Sequence, residues 1–223
     1  MGMNDATRNF LEALKARPDV VGVILFGSWA RGNNRPDSDV DLVVILTEGY
    51  QRTIEKREGQ VFEIIYTTQD SALDYWKTHR DDAANLWQVA KIVHDKDGSI
   101  ETLKHSVQHV IDAGKDSIND KQLLQLRFDA EDQIHYAESV AKQDITTANF
   151  MLTNKVFVLT ELFFDMKQLW TPAPKQRLSE IAKQDDGFYQ LLVKFYDDGS
   201  DFQKKLEVAK EIVSLIFSVG QSL

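Results

Sequence analysis

The sequence predicts an α/β domain followed by an all-α helical bundle. Short β-branched runs recur until about residue 100. Beyond that point strand signals stop and long helical apolar periods take over. The length, 223 residues, suffices for two modest domains. We place the first at residues 1–102 and the helical bundle at residues 103–223.

Each element has its own signal. Asn4 caps a first helix that turns Phe10, Leu11 and Leu14 inward and stops before Pro18. Val20 to Phe26 is a buried strand, Val40 to Leu46 a second and Val61 to Thr67 a third. Asn33 to Ser38, with Pro36, connects the first two. Thr68 to Ala90 is expected as helix, and Ile92 to His94 as a short last strand closed by the turn Asp95 to Gly98. In the second half, Leu123, Leu126, Ala130, Ile134, Ala137 and Ala141 form one apolar stripe. Ala148, Met151, Leu152, Leu159, Leu162 and Met166 form another. Pro172 and Pro174 break the chain, and a third stripe runs from Phe202 to Phe217. There is no internal repeat and no low-complexity tract.

Composition narrows the function. Hydrophobic residues make up 43% and charged residues 27%, ordinary values for a globular protein. No apolar run reaches membrane-spanning length, and no signal-peptide pattern opens the chain, so a cytoplasmic protein without a membrane partner is expected. The absence of cysteine excludes disulfides, thiolate metal sites and cysteine nucleophiles. The net charge of −9 argues against nucleic acid, which needs a basic stripe, and suits a small, even cationic, partner.

The chemistry concentrates in Phe26 to Leu42, which reads F-G-S-W-A-R-G-N-N-R-P-D-S-D-V-D-L. Asp39 and Asp41 alternate on a strand and so share a face. Two adjacent carboxylates repel unless a cation lies between them, and a divalent metal that prefers oxygen ligands usually arrives with phosphates. Glu63, inside V-F-E-I-I-Y, is a third acid in an apolar strand, which is costly without a cation. It is expected either to join the aspartates as a ligand or to act as a base. One or two Mg²⁺ ions on these acids suit an in-line displacement at phosphorus. Gly27 and Ser28 follow the first strand, where glycine allows close approach to a phosphate and the serine offers a hydroxyl. Arg31, one helical turn on, has the planar fork that grips phosphates, and Ser38 joins the nucleotide-binding positions. Each feature alone has an ordinary structural reading: a turn, a solvated strand edge, or, for Glu63, a pairing with a structural Lys or Arg. Their order and spacing together favour catalysis.

On these residues the chain resembles the polymerase-β-type nucleotidyltransferase superfamily. The pattern is Phe26-Gly27-Ser28, a spacer, Asp39-Val40-Asp41-Leu42, then Phe62-Glu63-Ile64. Many relatives carry Asp at the third acid. The resemblance implies a mixed sheet with helices, Mg²⁺, an NTP such as ATP as nucleotidyl donor, a hydroxyl acceptor and departing pyrophosphate. The helical half resembles, more loosely, the bundles of antibiotic nucleotidyltransferases acting on aminoglycosides and lincosamides.

That half is expected to recognise the acceptor. Lys155 interrupts the stripe between Leu152 and Leu159 and either snorkels to solvent or reaches the triphosphate. Lys175 and Arg177 follow the proline break, as a solvated helix start or as further phosphate contacts. Arg127, Glu131 and His135 form an i,i+4 ladder, in which Glu131 is a candidate base for the acceptor hydroxyl. The tryptophans are read as packing residues before stacking platforms. His105 and His109 lack a third ligand for zinc. The expected partners are an NTP and a small hydroxyl-bearing acceptor such as an aminoglycoside-type antibiotic. Two alternatives stay open, protein AMPylation as in antitoxin-like nucleotidyltransferases, and non-catalytic nucleotide binding. The sequence leaves open whether the protein works as a homodimer.

Overall fold

The computed structural model describes residues 4–197 and 201–219. The chain divides into two compact units at Ala113/Gly114. The first contains α1 (Asp5–Lys15), β1 (Val20–Phe26), α2 (Gly27–Arg31), β2 (Val40–Leu46), β3 (Gln51–Arg57) and β4 (Gln60–Thr67). It continues with α3 (Gln69–Thr78), α4 (Arg80–Trp87), β5 (Lys91–Asp95) and α5 (Ser99–Ala113). The second contains α6 (Asp120–Val140), α7 (Ile145–Met166), α8 (Pro174–Gln184), α9 (Asp186–Asp197) and α10 (Phe202–Val219). A mixed-sheet α/β unit followed by an all-helical unit is thus the architecture.

Asn4 starts the first unit as expected, its side chain accepting from the Thr7 backbone N–H at 2.8 Å. The helix it caps lays Phe10, Leu11 and Leu14 on the sheet. They meet Val23 and Leu25 of β1, Val40, Leu42 and Val44 of β2, and Phe62, Ile64 and Tyr66 of β4. These are alternate positions, so one sheet face is sealed and the intervening residues face the other way. The opposite face receives Ile100 of α5 at Gly22. Asp41 and Glu63 point to that second face.

The strand order is β3-β4-β2-β1-β5. The β2–β4 pair is parallel, and the pairs β1–β2, β1–β5 and β3–β4 are antiparallel. β3 was not expected. Its residues, Q-R-T-I-E-K-R, are exposed or half-buried throughout, with Ile54 72% exposed, because it is a sheet edge that covers no core. The helix expected over Thr68 to Ala90 is broken at His79, where φ is −130° and ψ 54°. No proline or glycine marks the break. The Thr78 hydroxyl instead bonds back to the Asp74 and Tyr75 carbonyls, each at 3.3 Å, and competes with continuation of the helix.

In the second unit the three expected stripes meet in one core. Ala130, Ile134 and Ala137 of α6 face Leu152, Val156 and Leu159 of α7, and Leu206, Ala209, Ile212 and Val213 of α10 join them. The alanines let the helices approach closely. Asn119 closes a capping box with Gln122 at the start of α6, and Asp144 caps α7 through the Thr146 and Thr147 amides, both at 3.0 Å. Among the described residues, no helix is long and apolar enough to cross a membrane.

Candidate metal and phosphate site

Strand register builds the site. Asp41 lies opposite Glu63 in the parallel β2–β4 ladder and opposite Phe26 in the antiparallel β1–β2 ladder. Asp39 lies just before β2, and its carboxylate reaches the same cluster as those of Asp41 and Glu63. Asp39, Asp41 and Glu63 each present a carboxylate oxygen, and these three atoms lie within 4.8 Å of one another. Asp39 is exposed, and Asp41 and Glu63 are half-buried. Three anionic oxygens at this spacing form a hard donor set of the kind that Mg²⁺ prefers. The cluster expected from the sequence is therefore brought together.

Gly27 explains why β1 must end as it does. Its φ is +66°, in the left-handed region, and a Cβ there would stand 1.8 Å from the Asp41 carboxylate oxygen. The carboxylate packs directly on the glycine backbone, and any side chain at position 27 would displace it. Gly27 opens the short helix α2, which ends at Gly32 with a left-handed cap. Ser28 sits in its first turn and is half-buried, and its carbonyl accepts from the amides of Gly32 and Asn33 at 3.0 and 3.2 Å. Its hydroxyl has no hydrogen-bond partner among the described residues.

Two sequence candidates are engaged locally. Arg31 donates from Nη2 to the Asn85 carbonyl of α4 at 3.3 Å. The Ser38 hydroxyl accepts from the Arg35 amide at 2.9 Å, and the Ser38 carbonyl accepts from Gln60 at 2.9 Å and from the Trp29 indole at 3.4 Å. Both hold the loop and helix that frame the acids.

The residue missed from the sequence is Arg52. It lies on β3, and its Nε donates to Glu63 Oε1 at 3.0 Å, while Nη2 reaches the same oxygen. The hydrogen bond and charge of Glu63 push the Arg52 guanidinium pKa upward. The signal for Arg52 was faint. It needed the hairpin turn Glu58-Gly59, both with positive φ, to be recognised in a polar stretch.

In the helical unit, Glu131 accepts from Arg127 Nε at 2.8 Å, the first rung of the expected i,i+4 ladder. Lys155 is half-buried on α7, and burial pushes its pKa down. Lys175 is exposed in the first turn of α8. Arg177 corrects the expectation of a solvated helix start. It is 6% exposed, paired with Glu161 at 3.0 Å, and bonded to the Thr160 hydroxyl at 3.2 Å. Trp76, Trp87 and Trp170 are buried in packing roles.

Comparison with known proteins places this geometry. No curated protein matches the sequence. The crystal structure of a nucleotidyltransferase-like protein from Exiguobacterium sibiricum 255-15 superposes with a TM-score of 0.54 at 13% identity. The superposition covers 99% of this chain and 78% of that one, a likeness of fold. Residues 7–106, which hold the whole acid cluster, match the family described as "Nucleotidyltransferase domain", and generic nucleotidyl transfer is the chemistry this match supports.

Proposed function

We propose that the protein is a Mg²⁺-dependent nucleotidyltransferase that moves a nucleoside monophosphate, by default AMP from ATP, to a hydroxyl of a small molecule of the aminoglycoside type. The observation that carries the reading is the convergence of Asp39, Asp41 and Glu63 oxygens within 4.8 Å beside the bare backbone of Gly27.

Asp39, Asp41 and Glu63 are the residues that would hold the metal. A Mg²⁺ ion held there would supply charge neutralisation for the triphosphate. Gly27 and Ser28 offer backbone and hydroxyl to the phosphate tail. Arg31 and Ser38 frame that surface. The acceptor oxygen bonds to the α-phosphorus as the bond to the pyrophosphate oxygen breaks. The hydroxyl proton passes to a carboxylate, for which Glu63 and Glu131 are the two candidates. Positioning and electrostatics dominate such a transfer, and no protein nucleophile is needed. The first unit is the catalytic domain in this reading, and the helical unit recognises the acceptor. Lys155 and Lys175 are its candidate phosphate contacts.

The test is incubation of the full chain with labelled ATP, Mg²⁺ and an antibiotic panel, read by mass spectrometry. A nucleotidyl mass gain on a drug, lost with Asp41→Asn, supports the reading. A gain on a co-incubated protein redirects it to protein AMPylation. Nucleotide binding with no transfer to any acceptor overturns it.

A further inference from the structure

The helical unit contains a cavity of about 450 Å³ bordered by α7, α8 and α9. That lies within the range of roughly 300–1,000 Å³ typical of small-molecule sites. Phe150, Asn154 and Phe157 recur at i, i+4 and i+7 on α7 and so form one stripe facing it. Leu178 of α8 and Tyr196 of α9 complete an apolar, largely aromatic wall. Phe150 is 74% exposed, although it lies on a helix whose other face is fully packed. Exposed aromatic rings lining a concavity provide stacking surface for a planar molecule.

Arg177 gives this cavity a polar anchor. Its residue lines the cavity yet is 6% exposed. Its Nε donates to the Pro172 carbonyl at 3.3 Å, and its Nη1 to Thr160 Oγ1 at 3.2 Å and Glu161 Oε1 at 3.0 Å. The guanidinium carbon lies 4.7 Å from the Phe157 ring centroid. Three of the five N–H donors are thus placed, and the fork is held rigid by a ring and three acceptors. The two donors on Nη2 take no acceptor among the described residues. A donor edge left without a protein partner at the wall of an apolar cavity favours an acceptor oxygen brought by a ligand. The Tyr196 phenol pKa is pushed up by burial, with Arg177 pulling the other way, so the wall stays neutral around neutral pH.

We propose that this cavity is a binding site for a small planar aromatic molecule carrying a carboxylate, with its ring between Phe150, Phe157 and Tyr196 and its oxygen on Nη2 of Arg177. The site lies within the helical unit and is independent of the nucleotidyl-transfer reading. Its ligand needs neither nucleotide nor metal.

Calorimetric titration of the full chain with 2-naphthoate, in the absence of nucleotide and metal, tests the site. Saturable binding of one naphthoate per chain is expected. The cationic isostere 2-naphthylmethylamine should bind at least about tenfold more weakly. Phe150→Ala, at a position too exposed to affect folding, should weaken naphthoate about fivefold or more. Arg177→Lys should erase the preference for the anion, with thermal unfolding used to verify the fold. If that variant does not fold, Phe150→Ala and the cationic isostere decide the matter. Absence of saturable binding overturns the proposal, as do equal affinities for anion and cation or indifference to Phe150→Ala. So does self-association abolished by Phe150→Ala without naphthoate binding, which would make a second copy of the chain the occupant.

Discussion

Arg52 and Glu63 form an ion pair across the β3–β4 hairpin on the same carboxylate that joins the acid cluster. The Arg52 side chain is 64% exposed and that of Glu63 25% exposed, so the arginine approaches from the solvent side. One oxygen of Glu63 therefore serves the guanidinium while the carboxylate also belongs to a three-acid set. A cation bound on that set would also neutralise Glu63 and would compete with Arg52 for it.

Substituting Arg52 tests the competition. In Arg52→Gln, Glu63 is released and a nearby positive charge is removed. The affinity for Mn²⁺, measured by electron paramagnetic resonance titration, should rise roughly two- to fivefold, the scale of a solvent-screened ion pair. An unchanged or lower affinity would show that Arg52 and the cation do not share Glu63.

Gly27→Ala should damage both stability and site. The substitution puts a Cβ into the Asp41 carboxylate at a left-handed φ of +66°. We expect a loss of about 2–3 kcal/mol, or roughly 5–10 °C in Tm, from backbone strain plus displacement of Asp41. Differential scanning calorimetry measures it. A variant as stable as the parent would mean that the β1–α2 corner relaxes freely.

Asp41→Asn separates chemistry from folding. Nucleotidyl transfer should fall at least about 100-fold, the scale seen when a transition-state electrostatic group is removed. In metal-free buffer the Tm should hold or rise, since one of three converging negative charges is gone. A variant with near-parental turnover would remove Asp41 from the site.

Lys155 gives a pH-dependent prediction. Its folded pKa lies below the ordinary value of 10.5 because burial disfavours the ammonium. Between that lowered value and 10.5 the unfolded chain holds more protons than the folded one. Stability therefore rises with pH across that window, and below it the buried charge is a standing penalty. Lys155→Met removes the charge but keeps the length. It should raise Tm by roughly 1–3 °C at pH 7, and the gain should shrink as pH climbs toward 10.5. Thermal melts of both proteins across pH give the difference directly. A matching fall in nucleotidyl transfer would assign Lys155 to the phosphates as well.

Much of the fold and of the acid cluster was legible because burial writes itself into composition. β1, β2 and β4 are apolar runs, and Asp41 and Glu63 stand out as charges within them. Gly27 was legible as a turn residue, although its contact with the Asp41 carboxylate appears only in three dimensions. β3 was not legible. An edge strand that covers no core needs no apolar face, and its turn uses Glu58 where Asn or Asp would have announced a hairpin. Arg52 was hidden with it. Arg177 reads as a solvated helix start because Lys175 and Gln176 precede it, while its actual partners, Thr160 and Glu161, lie 17 and 16 residues earlier on another helix.

The parallel pairing of β2 with β4 has a consequence for assembly. Asp39 and Asp41 are local neighbours, but Glu63 joins them only through the pairing of β4 with β2. A chain with that pairing frayed would present two carboxylates instead of three. If the set binds a divalent ion, its affinity would double as a gauge of whether β4 has docked on β2, and slipping β4 by one residue would turn Glu63 toward the opposite face and silence that gauge.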